Sequence, residues 1–255
     1  MPTAPAPALR KRLRRRRKEL RGAAARAAKH SLTVVGARLP DPALYAIAMT
    51  VNYLRLGRWM RVRGYSFPAR LPHRTDVWDA VLERIADRKV LYLEFGVHRG
   101  RSMRYWSERL RHPDARLEGF DSFEGLPEDF DERRYPKGRF STGGVPPALD
   151  DPRVRFHQGW FEDTLPAYEL PEHDVLFVNL DADLYSSTIY VLRQLRGAIG
   201  PGVYLYFDDL SRPEHEPKAF DEFTAETGLA FRAVAADRTL NHAVFECIGR
   251  GGADG

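Results

Sequence analysis

The chain predicts a doubly wound α/β fold: a mostly parallel seven-stranded sheet with a C-terminal antiparallel hairpin and an N-terminal helical extension. Three observations carry that expectation. Apolar, strand-like runs recur at 89–95, 116–120, 153–157, 174–180 and 203–207. The four spacers between them are long enough for the crossovers, usually helical, that parallel strands require. Two more runs, near 230–236 and 242–248, are joined only by Asp237 to Asn241, a connection that suits an antiparallel hairpin.

Composition agrees with one large domain. The chain has 255 residues, of which 43% are apolar, so wholesale disorder is excluded. Cys247 is the single cysteine, which excludes a disulfide framework and a multi-cysteine zinc site. No uncharged apolar stretch reaches the roughly 18 residues of a membrane-spanning helix. The basic N-terminus lacks an apolar segment of the kind that marks a secretion signal. A cytoplasmic protein is the expectation.

The elements follow in order. Residues 1–30 hold 11 Lys+Arg and one acid, Glu19, so the net charge of +5 comes from this arm and the remainder is mildly acidic. The run 10–18 can be helical, with good helix formers on both sides of it. Such a block reads as a flexible, solvated arm, or as a contact with nucleic acid or an anionic membrane surface through residues 10–29. Residues 31–74 read as a helical segment. Asp41 can cap, Pro42 suits the first helical position, and Leu44, Ile47, Ala48, Val51 and Leu54 recur at helical spacing. A second helix is expected near Thr75, running through Trp78, Val81, Leu82 and Ile85. Residues 75–250 then form the main domain. Its segment 125–152 is rich in Gly, Pro and charge, and is long enough to be a lid over a site; Arg133, Arg134, Tyr135 and Phe140 stand in it.

Chemistry gathers at the carboxyl ends of the strands. The first strand ends Glu94-Phe95-Gly96-Val97-His98-Arg99-Gly100, followed by Arg101-Ser102. Glycines there let the backbone approach a ligand, and the next helix offers free N–H groups to an anion. Neither the dinucleotide fingerprint nor the phosphate-binding loop matches. What remains is E-x-G-x-x-x-G, the shape of the first motif of class I S-adenosylmethionine-dependent methyltransferases. Asp121 ends the second strand, 27 residues after Glu94, where an acid can accept ribose hydroxyls. Asp181-Ala182-Asp183 follows the fourth strand and Asp208-Asp209 the fifth. Strand tips lie roughly 5 Å apart, so these acids can converge, and carboxylates that converge need a proton or a cation between them. Oxygen donors alone suit Mg²⁺, Mn²⁺ or Ca²⁺ rather than zinc.

The strings Asp121-Ser122-Phe123-Glu124-Gly125-Leu126-Pro127, Gly159-Trp160-Phe161-Glu162-Asp163-Thr164-Leu165-Pro166 and Leu180-Asp181-Ala182-Asp183-Leu184-Tyr185-Ser186-Ser187-Thr188 are specific. With Gly96–Gly100 and Asp208-Asp209 they resemble, in order, the macrocin O-methyltransferase (TylF-like) family of class I methyltransferases over about residues 90–210. The resemblance implies a Rossmann-like sheet and methyl transfer from S-adenosyl-L-methionine to a hydroxyl of a small molecule, typically a natural-product sugar, assisted by Mg²⁺. It implies cofactor contacts at Glu94, Gly96, Val97, His98, Gly100 and Ser102. Asp121 would take the ribose with Ser122 beside it, and Trp160, Phe161 and Asp163 would border the adenine. Asp181, Asp208 and Asp209 would bind the metal. It also hints at a homo-oligomer.

Several alternatives stay open. Asp181 is the first choice for the base, Asp183 competes with it, and His215 can serve instead. His98 can face either the cofactor or solvent. The basic arm leaves room for a nucleic-acid-associated methyltransferase or a non-catalytic binding module. Against the former, the chain lacks the Asn/Asp-Pro-Pro-aromatic motif of base-methylating enzymes after its fourth strand.

Overall fold

The computed structural model describes residues 7–130 and 135–251, so Arg133 and Arg134 lie outside the described residues. The described chain falls into two units, one ending at Val51 and the other beginning at Asn52.

In the first unit, α1 (Pro7–Gly36) is a helix through the basic run, where the reading above allowed a flexible arm. Arg, Lys, Leu and Ala are all good helix formers, which is the local reason. α2 (Asp41–Arg63) follows and carries the unit boundary within it.

The second unit is built on eight strands in the order β1-β7-β8-β6-β5-β2-β3-β4. These are β1 (Arg70–Leu71), β2 (Val90–Phe95), β3 (Arg116–Asp121), β4 (Val154–Gln158), β5 (Val175–Leu180), β6 (Tyr204–Phe207), β7 (Leu229–Asp237) and β8 (Ala243–Arg250). Seven strands were expected. The eighth, β1, is two residues pairing parallel to the end of β7, too short to leave a periodic signal. β2 to β6 are parallel to one another, and β8 runs antiparallel to both β6 and β7.

Alternation along the strands sends side chains to two cores. Leu91, Leu93 and Phe95 of β2, with Leu176, Val178 and Leu180 of β5, pack under α6 (Tyr185–Gln194) and α7 (Glu216–Thr227). Val90 and Tyr92, with Val175 and Phe177, pack under α3 (Arg74–Ile85) and α4 (Arg101–Ser107). Between β4 and β5 lie only the short α5 (Phe161–Thr164) and a 3-10 turn, Leu165–Ala167. Between β3 and β4 the described residues form no helix. That span is the long segment read as a lid.

The chain leaves β2 toward β3 on one side and returns through β5 on the other. The sheet therefore reverses its winding between the tips of β2 and β5, the place where open α/β sheets bind ligands.

Candidate active site

A cavity of about 610 Å³ opens at that reversal. Gly96 and His98 line it from the turn after β2, and Asp121 and Ser122 from the tip of β3. Trp160 and Phe161 follow β4, Asp181 and Asp183 follow β5, and Asp208 and Asp209 follow β6. These are residues that the sequence singled out, drawn together from five strand ends. Glu94, Val97, Gly100, Ser102, Asp163 and His215 do not line the cavity.

The turn after β2 is fixed from below. Gly96 has φ +94°, and a Cβ there would lie 1.9 Å from the carbonyl oxygen of Asp181. Glycine is required by the neighbouring strand's backbone rather than by a ligand. The Asp121 carboxylate accepts from the amides of Val97 at 2.8 Å and His98 at 2.7 Å through one oxygen, and from Phe123 at 2.7 Å through the other. Asp121 thus clamps the turn to β3, and its Oδ1 keeps acceptor capacity. His98 has φ +50° and Asp183 has φ +59°. Left-handed non-glycine residues of this kind gather at ligand sites.

Glu94 belongs to the core beneath the turn. Its side chain accepts from Tyr92 Oη at 3.0 Å and from Ser102 Oγ, and Asn179 Nδ2 donates to Tyr92 Oη at 2.8 Å. Burial pushes Glu94 up to about 8 against the pull of these donors. Glu94 and Ser102 therefore support the turn from inside.

The acids at the other strand ends divide into two groups. Asp208 is held as a carboxylate: Tyr206 Oη donates at 2.8 Å, His242 Nδ1 lies at 3.0 Å and Arg74 Nη1 at 3.4 Å. Burial opposes ionisation, but His242, Arg74 and Tyr206 hold Asp208 below the usual carboxylate range. Asp181 is raised well above that range, by burial first and then by Asp208, Asp183 and Glu94. Asp183 is raised likewise, by burial and by Asp209, with which it hydrogen-bonds side chain to side chain. Two adjacent carboxyls in one buried place share a proton. Behind them Glu216 is fully buried. Its Oε2 accepts from the Asp209 amide at 2.8 Å, while Oε1 has no hydrogen-bond partner among the described residues.

Among the described residues no three His, Cys, Asp or Glu side chains are placed to hold one metal ion together. The expected triad of Asp181, Asp208 and Asp209 is therefore not formed. The physical reason is that Arg74 and His242 already neutralise Asp208, and Asp209 is engaged with Asp183. The donor chemistry suits a hard cation, but the placement does not.

A cover of aromatic side chains closes part of the cavity. Leu126, Phe130 and Leu184 form a small buried cluster with Tyr135 against it. Tyr135 stacks with Phe140 at 5.7 Å between ring centroids, and Phe140 meets His98 at 5.7 Å. His215 stands at the start of α7 with its ring 4.7 Å from Phe130. It touches the cover at Phe130 but does not line the cavity.

Arg74, His242, Tyr206 and Glu216 were not found by sequence reasoning. Arg74 opens a helix that precedes the strand pattern, and His242 sits in the turn of the hairpin. Neither belongs to a motif, and only the folded sheet brings them to Asp208.

The fold and this strand-end site define a Rossmann-like sheet of the kind found in O-methyltransferases. Similar solved structures include CalS11, a calicheamicin methyltransferase, with TM-score 0.54 and 24% identity over 68% of this chain and 76% of that one. The O-methyltransferase NovP matches with TM-score 0.50 and 26% identity, over 69% and 78%. Residues 147–241 match the family described as macrocin-O-methyltransferase (TylF). A relative from Streptomyces olivaceus, 8-demethyl-8-(2,3-dimethoxy-alpha-L-rhamnosyl)-tetracenomycin-C 4'-O-methyltransferase, is 35% identical over 140 residues, covering 46% of this chain and 51% of the relative. Together these matches make the chain similar to the TylF-like family over part of its length. The chain spans between 34% and 65% of the length of the curated relatives it matches.

Proposed function

We propose that this protein is an S-adenosyl-L-methionine-dependent O-methyltransferase acting on a hydroxyl of a small molecule, a sugar or other natural product. The observation that carries the reading is the cavity at the winding reversal, which joins the clamped glycine turn and Asp121 on one side to the Asp183–Asp209 pair on the other.

The lining fits the cofactor. A glycine turn, a carboxylate at the tip of β3 and two aromatic side chains after β4 match its amino-acid, ribose and adenine parts in kind. Gly96 and His98 would hold the first, Asp121 and Ser122 the second, and Trp160 and Phe161 the third. When bound, the cofactor supplies a sulfonium methyl whose transfer makes an O–C bond, breaks the S–C bond and leaves a neutral thioether.

The protein's own share is alignment and proton handling. The acceptor hydroxyl must lose its proton as it attacks. The Asp183–Asp209 pair, holding one proton between two carboxyls, keeps one basic oxygen in the cavity wall. Asp183 is therefore the base in this reading, ahead of Asp181. Arg74 and His242 keep Asp208 ionised beside it. Leu126, Phe130 and Tyr135 cover the cavity and limit water. Mg²⁺ assistance, expected from the resemblance, enters no step here, because among the described residues no three acids are placed to hold one ion together.

Calorimetric titration with S-adenosyl-L-methionine, with and without Mg²⁺, tests the reading. Micromolar binding without the ion supports it. Binding only with Mg²⁺ restores the Asp181, Asp208 and Asp209 site, and no binding in either condition overturns the cofactor assignment.

A further inference from the structure

The unit that ends at Val51 contributes nothing to the cavity lining, yet its surface is unusual in two respects. Arg12, Arg14, Arg15, Arg16, Arg17, Lys18, Arg21, Arg26 and Lys29 are all exposed on α1, with Glu19 as the one acid among residues 1–30. Large apolar side chains are exposed in the same unit. Leu20, Leu32, Val34, Val35, Leu44, Ile47 and Val51 keep 37–70% of their surface open.

We infer that this unit binds the surface of an anionic lipid bilayer. The occupant has to satisfy cations and apolar groups together. A nucleic acid offers phosphates to the arginines but leaves the leucines and valines in water. A second copy can cover the apolar groups, but it brings a second basic helix to the same face and leaves the cations without anions. The headgroup region of an anionic bilayer meets both needs. Phosphates and the negative surface potential attract Lys and Arg, and the acyl boundary takes the apolar side chains. Arginine stems are long enough to lie along the apolar layer while their guanidinium groups reach the headgroups. Attachment is peripheral, because no helix of the described residues is long and apolar enough to cross a membrane. The inference is independent of the methyl-transfer reading.

The test is co-sedimentation of the full chain with phosphatidylcholine vesicles and with mixed phosphatidylcholine–phosphatidylglycerol vesicles, at low and high salt. Binding to the anionic vesicles is expected to be at least about tenfold tighter, and to weaken with salt. Combined Arg14→Glu, Arg15→Glu, Arg16→Glu and Arg17→Glu should abolish it, and lysines at the same four positions should retain it. Ile47→Asn with Val51→Asn should weaken binding severalfold at unchanged net charge. Circular dichroism of each variant separates lost binding from lost helix. Equal or absent binding to the two vesicle types overturns the inference. So does a duplex or RNA oligonucleotide that displaces the protein from vesicles, or an Ile47/Val51 variant that changes only the oligomeric state.

Discussion

The carbonyl oxygen of Asp181 lies 1.9 Å from the point where a Cβ on Gly96 would stand. The tips of β2 and β5 are thus in backbone contact at the winding reversal. Gly96→Ala should lower the melting temperature, because it adds both a clash with main chain and a left-handed alanine, itself a cost of about 1–3 kcal/mol. Thermal melting measures it. An unchanged melting temperature would show that the two strand tips can part, and the cavity wall would lose its fixed shape.

Glu94 should make stability depend on pH. Its folded-state value is about 8 against a reference of 4.5. Between those values the unfolded chain is ionised while the folded chain holds its proton. Stability therefore falls as pH rises across that window, by an amount on the order of a few kcal/mol. Glu94→Gln keeps the neutral shape, its amide oxygen can accept from one of the two hydroxyls, and its NH2 can donate to the other. Its melting temperature should stay flatter between about pH 5 and pH 8 and exceed wild type at the upper end. Parallel slopes for the two proteins would refute the assignment.

Asp183→Asn should reduce methyl transfer by roughly 10²–10⁴-fold, the usual range for loss of a general base. The fold should persist, since an amide at 183 can still donate to the Asp209 carboxylate. Turnover under saturating cofactor and acceptor is the measurement. Wild-type turnover would move the base to Asp181.

Arg74→Met should destabilise the protein by about 2 kcal/mol. That is less than the ~3–5 kcal/mol for breaking a fully buried pair, because the Arg74 side chain is 25% exposed and Asp208 keeps His242. The double variant with Asp208→Asn should recover part of the loss, since the uncompensated charge is then gone. Denaturant melts of the two single variants and the double variant would show additivity if Arg74 acts elsewhere.

The main sheet was legible because its central strands are mostly apolar, as in β2, β5 and β6, and the cavity-lining acids sit where those runs stop. Asp121, Asp181 and Asp208 could be placed at strand ends by that rule alone. The partners of Asp208 could not. Arg74 is 134 residues away in sequence, and nothing local marks a helix-opening arginine as the counterion of an acid on β6. The metal expectation is left without support among the described residues for the same reason, because the acids were counted without the cations that the fold brings to them. Glu94 was read as a ligand contact because it stands in the motif. Alternation along β2 turns it instead into the core with Tyr92.

β1 pairs with only Ala236 and Asp237 of the nine-residue β7, and among the described residues no other strand lies on that side. Most of the outer rim of β7 is therefore a template on which a foreign strand could add. The register of β7 against β8 slips at Ala230/Phe231 and again at Ala233/Ala235, and the exposed Arg232 stands between the two slips. Irregular backbone and a charge are what discourage edge-to-edge pairing. The hairpin that completes the sheet thus also guards it against self-association into aggregates, and straightening either slip would expose that liability.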